Sequence, residues 1–142
     1  MSENGIHLEY DVSGENFASA GTASEEVKNH LKRLGIPQED IRRVAISMYE
    51  GEINMVIHAG GGKALIDIYV DRIEMKLVDH GKGIADISLA MQPGWSTADE
   101  DVRSLGFGAG MGLPNMKKYT DEFDIESEVG KGTTVSMTIY FQ

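Results

Sequence analysis

The sequence contains no cysteine. That absence excludes disulfide frameworks, thiol nucleophiles and cysteine-based zinc sites, although histidine–carboxylate metal sites survive it. Basic residues are scarce as well: 13 Lys and Arg stand against 23 Asp and Glu, a net charge of −10. Such a balance opposes docking on nucleic acid or anionic lipid, since both require phosphate neutralisation by basic side chains, and it leaves proteins and small molecules as the expected partners. No apolar run approaches the length of a membrane span, and the opening MSENGIHLEYDVSG has no basic stretch followed by an apolar one, so the expectation is a cytosolic protein. A GKS or GKT triplet is also missing, which removes the Walker phosphate loop, and there is neither an internal repeat nor a low-complexity tract. With 142 residues the chain fits one domain spanning 1–142.

The periodicities present divide the chain into recognisable elements. Residues 5–12 alternate apolar and polar as a half-buried strand does, and Ser13-Gly14 breaks the pattern. From Ala18 to Leu34 the spacing is helical until Gly35 and Pro37, and Pro37 opens a second helix over 38–58 with an apolar stripe through Ile41, Val44, Met48, Ile53 and Val56. Gly60-Gly61-Gly62 ends it. Residues 64–70 and 73–79 read as a hairpin joined by Asp71-Arg72, which puts Asp79 at a strand end. Residues 80–112 are glycine-rich and polar with little to bury, the mark of a long functional loop, with a short helix expected at 86–91. A helix over 112–120 and two strands at about 122–128 and 133–141, joined by Val129-Gly130-Lys131-Gly132, complete the chain. Strand, two helices, hairpin, loop, helix, hairpin is a segregated order, so the expected fold is α+β: a two-layer α/β sandwich with a mixed, mostly antiparallel sheet and its helices on one face.

Four places carry chemistry. Glu50 and Asn54 lie one turn apart on the long helix, where a carboxylate and an amide oxygen could share a hard cation such as Mg²⁺; a polar helix face is the plainer alternative. Gly51 beside them costs a helix interior roughly 1 kcal/mol against alanine, and a close approach by another group would explain it. At Asp79-His80-Gly81-Lys82-Gly83-Ile84 a strand delivers an acceptor suited to an amino group such as adenine's, and the glycines allow close approach; a tight turn explains the same residues. The run Gly106-Phe107-Gly108-Ala109-Gly110-Met111-Gly112 exposes successive backbone N–H groups ahead of a helix N-terminus, an anion cradle whose spacing is not that of a dinucleotide fold; a flexible linker is its alternative. The fourth, Gly130-Lys131-Gly132-Thr133-Thr134, reads as a hairpin turn.

Taken in order, Glu50 with Asn54, DHGKGI, GFGAGMGL and GKGTTV resemble the N, G1, G2 and terminal glycine-threonine boxes of the ATPase/kinase superfamily shared by gyrase, heat-shock chaperones and histidine kinases. Within it, from about residue 20 onward, the chain resembles the anti-sigma-factor serine/threonine kinases, and GWSTADEDVRSLGFGAGMGLPNMKKYTDEFDIESEVGKGTTV is especially similar to the switch-kinase branch that acts on STAS-domain proteins. The resemblance implies ATP and Mg²⁺ as cofactors, Glu50 as the catalytic carboxylate, Asn54 as the Mg²⁺ ligand and Asp79 as the adenine contact. It implies nucleotide contacts by Gly81, Gly83, Gly106, Gly108, Gly110, Met111 and Gly112, with Thr133 near the base. Residues 92–110, which include Trp95, would form a lid over the triphosphate. The implied activity is phosphorylation of a STAS-domain partner, with a sigma factor or phosphatase regulator as a further partner and a homodimer as one assembly. No helix pair carrying a phosphoacceptor histidine precedes residue 37, and His7, His30, His58 and His80 read as ordinary polar residues, so the acceptor should be a Ser or Thr. The competing class is a nucleotide-gated binding module that sequesters a sigma factor or regulator with little or no phosphotransfer. Two departures stand out: the glycine box is slightly long, and Gly51-Glu52 places a second carboxylate where it would repel phosphates.

Overall fold

Alternation and helical spacing translate directly into a sheet with helices packed against it. The computed structural model describes residues 5–13, 21–84, 91 and 112–142. The elements are β1 (Ile6–Ser13), α1 (Thr22–Arg33), α2 (Gln38–Ala59), β2 (Gly61–Ile68), β3 (Arg72–Val78), α3 (Gly112–Tyr119), β4 (Glu122–Glu128) and β5 (Gly132–Tyr140). Among the described residues five strands lie in the order β1-β2-β3-β5-β4, and each of their pairings is antiparallel.

The register lines the apolar positions up across strands: Ala64, Ile66 and Ile68 face Leu77, Met75 and Ile73, which in turn face Val135, Met137 and Ile139. All nine are buried and belong to one cluster with Val27 and Leu31 of α1, Val44, Met48, Met55 and Val56 of α2, and Leu113 and Met116 of α3. Fully burying side chains of this size contributes about 1.5–3 kcal/mol each. The opposite face of the sheet carries residues such as Lys63, Asp67, Glu74, Lys76, Ser136 and Thr138, so only one face has a hydrophobic reason to be covered. The edge strand β4 presents Glu122, Asp124, Glu126 and Glu128 to solvent, a charged row of the kind that discourages pairing with another chain. No helix among the described residues is long and apolar enough to cross a membrane.

Two boundaries differ from the sequence expectation for physical reasons. The triple glycine is not all turn: Gly60, with φ 73, caps α2 by donating to the Met55 carbonyl, while Gly61 and Gly62 already pair with Ser13 and Val12 in the sheet. A Cβ on Gly62 would overlap the Val78 carbonyl oxygen and lie 2.8 Å from the Met55 sulfur, so the glycine serves close packing of strand and helix. The β2–β3 hairpin turns at Val70-Asp71, one residue before Asp71-Arg72, because Tyr69 N–H donates to the Arg72 carbonyl at 2.8 Å. Val70, 94% exposed, disguised that turn as strand. The short helix expected at 86–91 and the lid at 92–110 lie outside the described residues, Met91 apart.

Candidate nucleotide site

Helix α2 is the ruler along which the candidate residues are set. Glu50 and Asn54 are both half-buried and one turn apart. Burial raises the Glu50 pKa above the ordinary carboxylate value, and a hydrogen bond from the Asn115 side chain partly offsets that rise. The partner is in the first turn of α3, which places the start of that helix beside Glu50.

Gly51 is what allows α3 so close. A Cβ there would overlap Leu77 Cδ1 and sit 3.3 Å from the Met116 sulfur, both fully buried side chains in the seam between α2, α3 and β3. The helix thus accepts a conformational cost of roughly 1 kcal/mol for a closer packing surface. At its other end α3 is held by Arg43 of α2, whose guanidinium donates to the Tyr119 carbonyl at 3.2 Å and pairs with Asp121 at 3.0 Å.

Glu52 does not stand with Glu50. Its side chain, 3% exposed, turns to α1, where Oε2 accepts from Gly21 N–H at 2.8 Å and Ala23 N–H at 3.2 Å and Oε1 accepts from Ser24 N–H at 3.0 Å. The N-cap residue Gly21 has no side chain with which to cap that helix. A carboxylate from α2 satisfies the N–H groups of Gly21, Ala23 and Ser24 and meets the positive end of the helix dipole. The electrostatic objection raised by a second carboxylate is met by its placement: the Glu52 side chain is turned to the start of α1, where its oxygens are occupied by backbone donors.

At the far end of α2 the Asp79 loop and the β4–β5 hairpin are built into one unit. Asp79 follows the last residue of β3; its N–H donates to the Thr133 carbonyl at 2.9 Å, while its Oδ1 accepts from Thr133 N–H at 3.1 Å and Gly81 N–H at 3.0 Å. Gly130 N–H donates to the Lys82 carbonyl at 2.9 Å, and Ile84 N–H donates to the Ser127 hydroxyl at 2.7 Å. The glycines here accommodate protein: a Cβ on Gly83, with φ 78, would overlap the Glu128 carbonyl oxygen, and one on Gly132, with φ 129, the Asp79 carbonyl oxygen. Gly81 packs on α2, where an added Cβ would lie 2.6 Å from Ala59 Cβ.

These contacts fix a linear order. Ala59, which marks the Asp79 end, lies five residues beyond Asn54 and nine beyond Glu50, or about 7.5 and 13.5 Å along the axis at 1.5 Å per residue. Acceptor oxygens of Asp79 and Thr133 occupy one end and the start of α3 with its axial N–H groups the other. A ligand carrying an amino group at one end and anionic groups at the other fits that polarity. Gly112 opens α3, whereas Gly106, Gly108, Gly110 and Met111 lie outside the described residues.

Sequence reasoning missed two contributors, Asn115 and Ser127, and set Glu52 beside the phosphates instead of at the start of α1. Ser127 had a signal, since it is the polar residue at the inward position of β4 where Phe123 and Ile125 are apolar. Asn115, in the first turn after the glycine run, had none beyond its place.

Comparison with known proteins gives a consistent relationship. Residues 15–139 match the model of the histidine kinase-like ATPase domain. An anti-sigma F factor of Caldanaerobacter subterraneus subsp. tengcongensis is 38% identical over 142 residues, covering 96% of this chain and 94% of that one. The serine/threonine-protein kinase RsbT of Bacillus subtilis is 34% identical over 112 residues, covering 76% and 78%. Among solved structures, the RsbU and RsbW domains of a Mycobacterium tuberculosis protein align with TM-score 0.65 at 16% identity over 96% of this chain. The chain spans about a third (32%) of that structure, and the likeness concerns the fold.

Proposed function

The chain belongs to the histidine kinase-like ATPase domain family, and from that premise we propose that it is an ATP-dependent serine/threonine protein kinase of the anti-sigma regulatory type. Its substrate in this reading is a STAS-domain protein, and it exchanges partners, a sigma factor or a phosphatase regulator among them, as its nucleotide changes. The observation that carries the proposal is the order along α2: an acceptor-lined corner at Asp79 and Thr133, then Asn54, then a half-buried Glu50 beside the start of α3.

The residues suit ATP and Mg²⁺. Asp79 and Thr133 would receive the adenine amino group, with Gly81 and Gly83 shaping the wall. Gly106, Gly108, Gly110, Met111 and Gly112 would supply N–H groups to the phosphates under a lid formed by 92–110. Asn54 offers an amide oxygen to Mg²⁺; among the described residues no three His, Cys, Asp or Glu converge on a site, so the ion would depend on Asn54 together with phosphate oxygens and water. When bound, ATP supplies the phosphoryl group and Mg²⁺ disperses its charge. Glu50 accepts the proton of the attacking Ser or Thr hydroxyl and orients it, a role suited to a carboxylate whose pKa burial has raised toward the working range.

A second reading draws support from relatives that bear the name anti-sigma F factor: a nucleotide-gated module that sequesters a sigma factor or regulator with little phosphotransfer. One experiment separates the two. The STAS-domain protein that copurifies with the chain is incubated with γ-labelled ATP and either wild type or Glu50→Gln. Kinase action predicts label on a Ser or Thr of the partner and a loss of about 10²–10⁴ in rate for the variant with ATP affinity retained. Absence of label with wild type, or equal labelling by both proteins, removes the catalytic assignment.

A further inference from the structure

The hydroxyl of Ser127 has more contacts than it has protons, and counting them assigns a direction. Its oxygen lies 2.7 Å from Ile84 N, 3.1 Å from the Gly132 carbonyl oxygen and 2.7 Å from Thr133 Oγ1. A serine hydroxyl has one proton to donate and two lone pairs. Ile84 N–H occupies one lone pair. The Gly132 carbonyl can only accept, so the Ser127 proton belongs to it; any other placement sets two acceptor oxygens against each other at 3.1 Å. Thr133 must therefore donate to the second lone pair. The chain of protons runs Thr133 to Ser127 to Gly132.

This order strips Thr133 of its proton as far as a ligand is concerned. Thr133, 9% exposed, keeps only lone pairs on Oγ1. Asp79 beside it is likewise acceptor-only when ionised. Its Oδ1 already holds Thr133 N–H and Gly81 N–H, and no described hydrogen bond uses Oδ2. The corner that the loop and hairpin build is thus uniformly hydrogen-bond accepting. We infer that Ser127 is the positioning residue that sets nucleobase specificity: by taking the Thr133 proton it makes the corner select a 6-amino purine over a 6-oxo purine. The inference rests on the ATP-binding reading above and deepens it. A carbonyl oxygen at position 6 would face two acceptors without a donor, whereas an amino group would be received by both.

The test compares Mg-ATP with Mg-ITP, in which a 6-oxo group replaces the amino group, by titration calorimetry on the full chain. Wild type should prefer ATP by about tenfold to a hundredfold, the scale set by leaving a polar group unpaired in the corner. Ser127→Ala frees the Thr133 hydroxyl to rotate and donate, so the ratio should narrow about tenfold, mainly through tighter ITP binding. Ser127→Thr, which restores a hydroxyl, should return the wild-type ratio. A Ser127→Ala protein that melts cooperatively and keeps the wild-type ratio overturns the inference while leaving ATP binding intact. Equal affinity of wild type for both nucleotides overturns it too, and binding of neither removes the ATP reading with it. If Ser127→Ala does not fold, Thr133→Val decides: weaker ATP with unchanged ITP supports the acceptor role, and unchanged ATP refutes it.

Discussion

Replacing Glu52 by glutamine separates two incompatible pictures of the carboxylate that follows Gly51. In one it lies beside the phosphates and repels them; in the structure it is buried and accepts three backbone N–H groups at the start of α1. Glutamine preserves the volume but has a single acceptor oxygen. If that oxygen keeps Gly21 and Ala23, the amide NH₂ confronts Ser24 N–H, donor against donor. An orphaned buried donor costs about 1–3 kcal/mol, and loss of the charge at the helix N-terminus adds about 0.3–1 kcal/mol or somewhat more in a buried setting. The expected destabilisation is therefore about 1.3–4 kcal/mol. Unfolding entropy near 2.1 cal/mol/K per residue gives this chain about 0.3 kcal/mol/K, so Tm should fall by about 4–13 °C. Calorimetric melting measures that drop, and titration with Mg-ATP well below both transitions should return the wild-type Kd. Unchanged Tm together with tighter ATP binding would refute the assignment, since it is the signature of removing a charge from the phosphate site.

Two further outcomes follow from the glycines and from Glu50. Gly130 and Gly132 both have positive φ, at 85 and 129, but a Cβ on Gly130 meets nothing within 4 Å while one on Gly132 overlaps the Asp79 carbonyl oxygen. Gly130→Ala should cost about 1–2 kcal/mol of backbone strain with ATP affinity retained, whereas Gly132→Ala adds overpacking of about 1–3 kcal/mol and weakens ATP; denaturant melts and calorimetry compare them, and equal effects would contradict the close packing of hairpin on loop. Because burial raises the Glu50 pKa, its protonated form is favoured in the fold: the associated stability is present below the ordinary value of 4.5 and lost as pH rises through the folded value. Phosphotransfer should climb with pH through that raised value and then level, and Asn115→Ala, which removes the hydrogen bond that lowers it, should displace the climb to higher pH with ATP affinity unchanged. A pH–rate profile that does not move argues against the Asn115 contact.

How much of this was legible in the sequence depends on whether a signal was local. The strands and helices were, because their alternation and three-to-four spacing are properties of neighbouring residues, and the single apolar face they imply is the one the core uses. Of the four boxes, the structure describes the segments at Glu50–Asn54, Asp79–Ile84 and Gly130–Thr134, while the glycine run before Gly112 lies outside the described residues. What escaped were contacts between segments distant in the chain. Glu52 reaches back 31 residues to Gly21, and nothing near either position distinguishes a capping carboxylate from a solvated one. Gly51 sits between the two outcomes: its cost inside a helix announced that something approaches, but only the packing names Leu77 and Met116. The same limit governs the glycines of the DHGKGI and GKGTTV runs. Read alone, each invites a ligand to its backbone; together they invite one another, with Gly83 admitting the Glu128 carbonyl and Gly132 admitting that of Asp79. The two runs therefore form a single wall packed on itself, and in the proposed ATP-binding reading the atoms left to meet the nucleotide are the side-chain oxygens of Asp79 and Thr133. In that reading the burden of specificity shifts from backbone glycines, which any purine could approach, to the proton order proposed for Ser127.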